Sequence, residues 1–282
     1  MMASSDGGPI LSVTPRPLSR QFRGMPVHLS IEGPIATLTL DEPGRRNAMT
    51  PELGDALKAR VEELKGRSDV RVVLLTGAGG AFSGGGDLTM LERLRAVPAE
   101  EARRFMLGFY ARYLSVLDLD VPTIAVVEGA AIGAGFCLAL ACDFCFVDLE
   151  AKLALNFVQL GLHPGMGATY FVPRRAGAAE AARLLMTGQR FDGADAVGLG
   201  LALEGHPLAE VMPAARAFAT TLAAQAPLAI KALKAELGAD RAVLQRCLEA
   251  EAAHQAVSYG SADMAEGLAA AAARRAPVFT GR

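Results

Sequence analysis

The run "GAAIGAGFCLALACD", residues 129–143, decides how the rest of the chain is read. Gly129, Gly133 and Gly135 crowd its entry, and no polar side chain interrupts it from Ala134 to Cys142. Glycine lets a backbone approach another group closely and offer its N–H. A segment apolar all round its axis belongs to a buried helix. The run therefore predicts a tight turn opening into a buried helix over 134–142. The first N–H groups of such a helix lack internal partners and lie at the positive end of its dipole. Three uses stay open at this point: a catalytic site, a metal cluster held by the cysteines, or plain core.

Working outward, "TIAVVEG" (123–129) reads as a strand buried on both faces, and "FCFV" (144–147) and "KLALNF" (152–157) read as further strands. Upstream, "VHLSI" (27–31) and "IATLTL" (35–40) form a hairpin across Glu32-Gly33-Pro34. Thr50-Pro51-Glu52 opens a helix, with a hydroxyl cap, proline in the first turn and an acid behind it. Leu53, Leu57, Val61 and Leu64 continue it at helical spacing. "VRVVLLTG" (70–77) is another buried strand, a helix follows over about 98–117, and alanine- and leucine-rich helices run from Ala178 onward. Strands alternating with helices, followed by a helical end, define an α/β chain.

Two more glycine-dense turns follow strand-like runs: "TGAGGAFSGGGDL" (76–88) and "GLHPGMGAT" (161–169). In a wound sheet such turns gather at the edge where ligands bind. Familiar nucleotide and hydrolase signatures are missing. Gly77-Ala78-Gly79 lacks the third glycine of a dinucleotide fingerprint, no phosphate-binding G-x-x-x-x-G-K-[ST] occurs, and no G-x-S-x-G elbow occurs. His28, His163, His206 and His254 make no H-E-x-x-H zinc site. Cys137, Cys142 and Cys145 carry the C-x4-C-x2-C spacing of a plant-type iron–sulfur site, with Cys247 as a fourth. They fall on an apolar helix and a strand rather than on wrapping loops, which favours core packing and no metal.

Composition narrows the class further. A net charge of -2, a pI of about 6.1 and the absence of Trp leave neither a basic face nor a stacking platform for nucleic acid. Mean hydropathy is +0.28, yet glycines and polar residues break the apolar runs before they reach membrane-span length. Four cysteines in 282 residues do not form a secreted disulfide framework, so a reducing, cytoplasmic setting is expected. Residues 1–26, rich in Ser, Pro and Gly, read as a disordered leader outside the fold.

What remains is backbone chemistry. Gly84-Gly85-Gly86 ahead of Asp87-Leu88 offers a second set of N–H groups beside those near Ala134. Two such donors aimed at one oxygen form an oxyanion hole, suited to a thioester enolate or a tetrahedral intermediate. Asp87 suits the N-terminus of the helix it precedes, and Asp143 a structural pairing.

"DEPGRRNAMTPEL", "VVLLTGAGGAFSGGGDL", "EGAAIGAGFCLALACD", "LGLHPGMGATYFVPRRAG" and "RRAPVFTGR" resemble, in order and separation, the crotonase superfamily of enoyl-CoA hydratases and isomerases. The resemblance covers residues 27–282. It implies a spiral of ββα turns over 27–205, a helical trimerisation region over 206–282, a homotrimer or hexamer, and an acyl-CoA substrate with no separate cofactor. Carried over by position, the oxyanion hole is the N–H of Gly86 and the N–H of Ala134. Coenzyme A lies along Arg46 to Ala48 and along Gly84, Gly86, Asp87 and Leu88, with Phe279 closing the site. Met90, Leu91, Gly133, Cys137 and Phe157 are expected around the acyl group.

Hydratases of this family use two glutamates to place water and move its proton. Cys137 and Phe157 stand at those positions here. A phenyl ring transfers no proton, and a buried thiol is a poor carboxylate substitute. The expected chemistry therefore avoids the two-glutamate route, in isomerisation, decarboxylation or thioester hydrolysis. The alternatives are an acyl-CoA-binding protein without catalysis, or a hydratase using other groups. His163, in the third glycine turn, is the candidate acid–base group, followed by Glu128.

Overall fold

The structure, a computed structural model, describes residues 25–282; nearly all of the expected leader lies outside them. The hairpin forms as read: β1 (Val27–Glu32) pairs antiparallel with β2 (Ile35–Leu40). Helix α1 (Pro51–Leu64) starts at Thr50, whose side chain accepts the Leu53 N–H, and buries Leu53, Leu57, Val61 and Leu64. From there strands come in pairs, a longer one followed by a shorter one. These are β3 (Val72–Gly77) with β4 (Ala81–Ser83) before α2 (Leu88–Leu94) and α3 (Ala99–Tyr113). Next come β5 (Thr123–Val127) with β6 (Ala130–Ile132) before α4 (Ala134–Ala141), then β7 (Phe144–Asp148) with β8 (Leu153–Ala154) before α5 (Ala168–Ala176). Helix α6 (Ala178–Thr187), β9 (Arg190–Phe191), α7 (Gly193–Gly198) and β10 (Glu204–His206) follow. Four helices end the chain: α8 (Leu208–Ala223), α9 (Pro227–Leu237), α10 (Arg241–Tyr259) and α11 (Ala262–Ala273).

The two members of each strand pair enter different sheets. One sheet has the order β1-β2-β3-β5-β7-β10 and the other β4-β6-β8-β9. Apart from the first hairpin the large sheet is parallel, and so are β4, β6 and β8 in the small one, with β9 antiparallel at its edge. Repeating this step three times produces the ββα spiral. It also brings the ends of β4, β6 and β8 side by side, and that alignment makes the site.

Local sequence accounts for the tight places. Every residue of α4 is buried. A methyl on Gly135 would stand 2.8 Å from the Ser83 hydroxyl, so only glycine lets α4 lie this close to β4. Cys142 and Cys145 are wholly buried, and burial pushes both thiols up to about 12. Among the described residues no group of three or more His, Cys, Asp or Glu side chains stands where it could hold a metal ion. No helix among them is long and apolar enough to cross a membrane.

Two expectations are corrected. The strand read over 152–157 is only Leu153–Ala154, because Asn156 turns the chain into a 3-10 turn, Phe157–Leu160. The helix read to 117 ends at Tyr113 and tightens into 3-10 geometry over Leu114–Asp118.

Candidate active site

The segments that leave β4, β6 and β8 meet around a cavity of ≈ 230 Å³. From the first come Gly84, Gly85, Gly86, Leu88, Met90 and Leu91; from the second, Ile132, Gly133 and Ala134; from the third, Asn156 and Phe157. Helices α3 and α10 close the other side with Met106, Phe109, Tyr110, Gln255 and Tyr259.

The first two segments approach through backbone alone. Gly85 has φ +85, and a methyl placed on it would stand 2.5 Å from the Ile132 carbonyl and 3.9 Å from the Ala134 nitrogen. Gly133 has φ +52 and donates its N–H to the Ala154 carbonyl at 2.7 Å, tying the second segment to the third. The loop before α2 is held from below. The N–H of Gly84 donates to the Arg46 carbonyl, and the Met49 N–H donates to the Gly85 carbonyl. Ser83 Oγ donates to the Asn47 carbonyl and accepts the Gly85 N–H. With those bonds made, the N–H of Gly86 has no acceptor among the described residues. The N–H of Ala134, first in α4, likewise has none inside its helix. Both residues face the same cavity.

Gly84, Gly86, Leu88, Met90, Leu91, Gly133, Ala134 and Phe157 thus stand on the cavity wall. Asp87 caps α2 by accepting the Met90 N–H at 2.9 Å and pairs with Arg45 at 2.6 Å. Arg46 and Ala48 lie beneath the Gly84 loop, off the wall, with the Arg46 side chain exposed. Phe279 is exposed, on a C-terminal tail pinned by bonds from Thr280 and Gly281 to Asp263, and does not touch the cavity.

Three expected positions change. Cys137 is wholly buried behind the wall, and burial, reinforced by the nearby Glu251 carboxylate, raises its thiol well above the ordinary range. His163 contributes nothing to the wall: its Nδ1 lies 2.7 Å from the Pro164 carbonyl and its ring packs 4.8 Å from that of His254. Burial also lowers its pKa. Its loop does reach the cavity, but through Leu162, Gly165 and Met166, while the His163 ring lies against that of His254. Glu128 bonds weakly to Thr76, off the wall, and burial raises its pKa.

Four polar wall residues escaped the sequence reading: Tyr110, Asn156, Gln255 and Tyr259. Among the described residues they are the only polar side chains on the wall, and none is a carboxylate. Tyr110 donates to Gln255 Oε1 at 2.8 Å, and Gln255 Nε2 donates to the His163 carbonyl at 2.9 Å. Behind them Glu251 accepts from the backbone N–H groups of Gly167 and Thr169 and from the Thr169 hydroxyl. Burial pushes Glu251 up to about 7 despite those donors. These bonds clamp the loop that carries Met166 in the left-handed region at φ 62. No short motif announces contacts of this kind; only the lone Asn156 inside an apolar run carried a local signal.

A spiral of paired strands around two loops with unpaired N–H groups defines a crotonase-type fold. Residues 30–282 match the enoyl-CoA hydratase/isomerase family, and the chain belongs to it. It is 38% identical over 253 residues to "probable enoyl-CoA hydratase EchA14" of Mycobacterium tuberculosis, covering 87% of this chain and 97% of that one. It is 34% identical over 266 residues to carnitinyl-CoA dehydratase of Salmonella typhi, covering 91% and 98%. The solved enoyl-CoA hydratase of Bacillus halodurans superposes with a TM-score of 0.81 at 26% identity, covering 87% of this chain and 99% of that one. The chain is accordingly an enzyme of the enoyl-CoA hydratase/isomerase family, acting on acyl-CoA.

Proposed function

We propose that the enzyme seats an acyl-CoA carbonyl oxygen between the N–H of Gly86 and the N–H of Ala134, and stabilises the enolate formed there without paired carboxylates. The observation that carries this reading is the pair of unpartnered N–H groups on one cavity whose wall bears no Asp or Glu among the described residues. Donors fixed in advance need no reorganisation as negative charge develops on the oxygen. A wall of Leu, Met and Phe strengthens their field by excluding water. Coenzyme A would run over the Gly84–Leu88 loop, with exposed Arg46 near its phosphates and Phe279 outside the acyl cavity. Proton transfer falls to the substrate or to water, since His163 and Cys137 face elsewhere and the wall tyrosines are bonded to Gln255.

For assembly we propose a trimer or a dimer of trimers. Helix α9 supports this, because it buries no residue and leaves Leu228, Leu233 and Leu237 exposed.

The test follows crotonyl-CoA hydration by the enoyl-thioester absorbance, with calorimetric acyl-CoA binding on the same sample. Binding with little or no hydration is expected. Rapid hydration would overturn the carboxylate-free reading, and absence of binding would remove the site itself.

A further inference from the structure

One side chain touches both free N–H segments from behind. Ser83, the last residue of β4, is wholly buried and does not stand on the cavity wall. Its hydroxyl makes two bonds, donating to the Asn47 carbonyl at 2.8 Å and accepting the Gly85 N–H at 3.2 Å. On its other side α4 rests against it: a methyl on Gly135 would stand 2.7 Å from the Ser83 Cβ and 2.8 Å from its carbonyl oxygen. Gly85 immediately precedes Gly86, and Gly135 immediately follows Ala134. The anchor is itself fixed. Asn47 is buried at φ 53, and its carboxamide accepts the Glu42 N–H at 2.8 Å and donates to the Ala78 and Ala81 carbonyls at 3.0 and 2.8 Å.

These contacts fix a direction. A trans, planar peptide points its N–H opposite its C=O. The Gly85–Gly86 peptide is trans and its C=O accepts the Met49 N–H at 2.7 Å, so the Gly86 N–H is turned away from Met49 and toward the cavity. The preceding peptide, Gly84–Gly85, is tethered through its N–H to Ser83. Between the two planes lie only the φ and ψ of Gly85, at a φ of +85 that glycine enters and leaves freely. Without the hydroxyl one plane loses its tether, and the glycine run gains freedom to swing. A hydrogen bond weakens steeply as its donor angle falls, and a donor that must first reorient no longer stabilises charge in advance. Ser83 lies behind the wall with both bonds made, so it acts through the loop and not on substrate.

We infer that Ser83 is a positioning residue: its hydroxyl holds the Gly85 peptide so that the Gly86 N–H faces the cavity, and its Cβ sets how near α4 brings the Ala134 N–H. The inference rests on the proposed placement of the carbonyl between those two donors. Butyryl-CoA isotope-labelled at its thioester carbonyl carbon tests it, by infrared difference spectra of the bound ligand and calorimetric Kd on the same samples. The wild type is expected to lower the carbonyl stretch relative to free ligand, because two aimed donors polarise the bond. Ser83→Ala is expected to lose about half of that lowering with Kd within about threefold, since one of the two donors is released while coenzyme A is held elsewhere. Ser83→Cys keeps a weaker donor and acceptor and is expected to lose less than alanine. A wild-type stretch in Ser83→Ala would overturn the inference and leave the carbonyl site standing. A merely structural Ser83 would lower stability or Kd without moving the stretch of the bound ligand, which also counts against it. Should the alanine variant not fold, the cysteine variant decides alone, and a wild-type stretch there overturns the inference. Absence of binding, or of any lowering in the wild type, would overturn the placement of the carbonyl and the inference with it.

Discussion

The cavity has two faces made in different ways. One is backbone: Gly84 to Gly86 and Gly133 to Ala134, where missing side chains let two loops meet and leave two N–H groups free. The other is side chain: Tyr110 from α3 against Gln255 and Tyr259 from α10, backed by buried Glu251. The first leaves two donors without partners, whereas the second satisfies itself. The difference teaches that the polar groups most elaborately bonded here are not the ones most available for chemistry.

The contrast breaks most directly at Ala134. Proline is tolerated at the first position of a helix, and there it deletes only an N–H that has no helical partner. Ala134→Pro is expected to keep the helical circular dichroism signal and lower kcat on any accepted thioester by about 10²–10³-fold. A loss below about fivefold would mean that the backbone face is not the catalytic one.

Glu251 probes the other face. Its folded value of about 7 lies above the ordinary 4.5, so over that interval the folded state keeps a proton the unfolded chain has released. The stabilisation is whole below about pH 4.5 and disappears as pH rises through 7, a change of about 3 kcal/mol. Denaturant unfolding between pH 5 and 8 is expected to show this fall, and Glu251→Gln to flatten it. A wild-type stability that stays level or rises over that interval would contradict the assignment.

The smallest effect is expected at Tyr110. Tyr110→Phe removes the donor to Gln255 Oε1 and leaves that atom with Tyr259 at 3.5 Å. The expected cost is about 1–2 kcal/mol in unfolding free energy, with kcat within a few-fold of wild type. A large fall in kcat with unchanged stability would move Tyr110 from the scaffold to the chemistry and dissolve the distinction between the faces.

Legibility divides along the same line. The glycine loops, the Thr50 cap, the first hairpin and the buried α4 could be read residue by residue, because turn chemistry, capping and hydrophobic period are local properties. That neither Cys137 nor Phe157 is a carboxylate was equally plain. Local reading failed where direction mattered. His163 and Cys137 lie in the right segments, but their side chains turn away from the cavity, the ring toward His254 and the thiol into the core. The end of β8 was misplaced because the small sheet gives that strand only a short stretch of partners.

By itself, then, the sequence determined the first hairpin, the buried strands β3, β5 and β7, helices α1 and α4, and the two glycine loops with their free N–H groups, since backbone freedom is written one residue at a time. Only the tertiary structure decided what closes the cavity. Tyr110 and Gln255 lie 145 residues apart, and no local pattern says that α10 will cross α3 at that point. Which side chains face a cavity follows from how helices pack on the finished spiral.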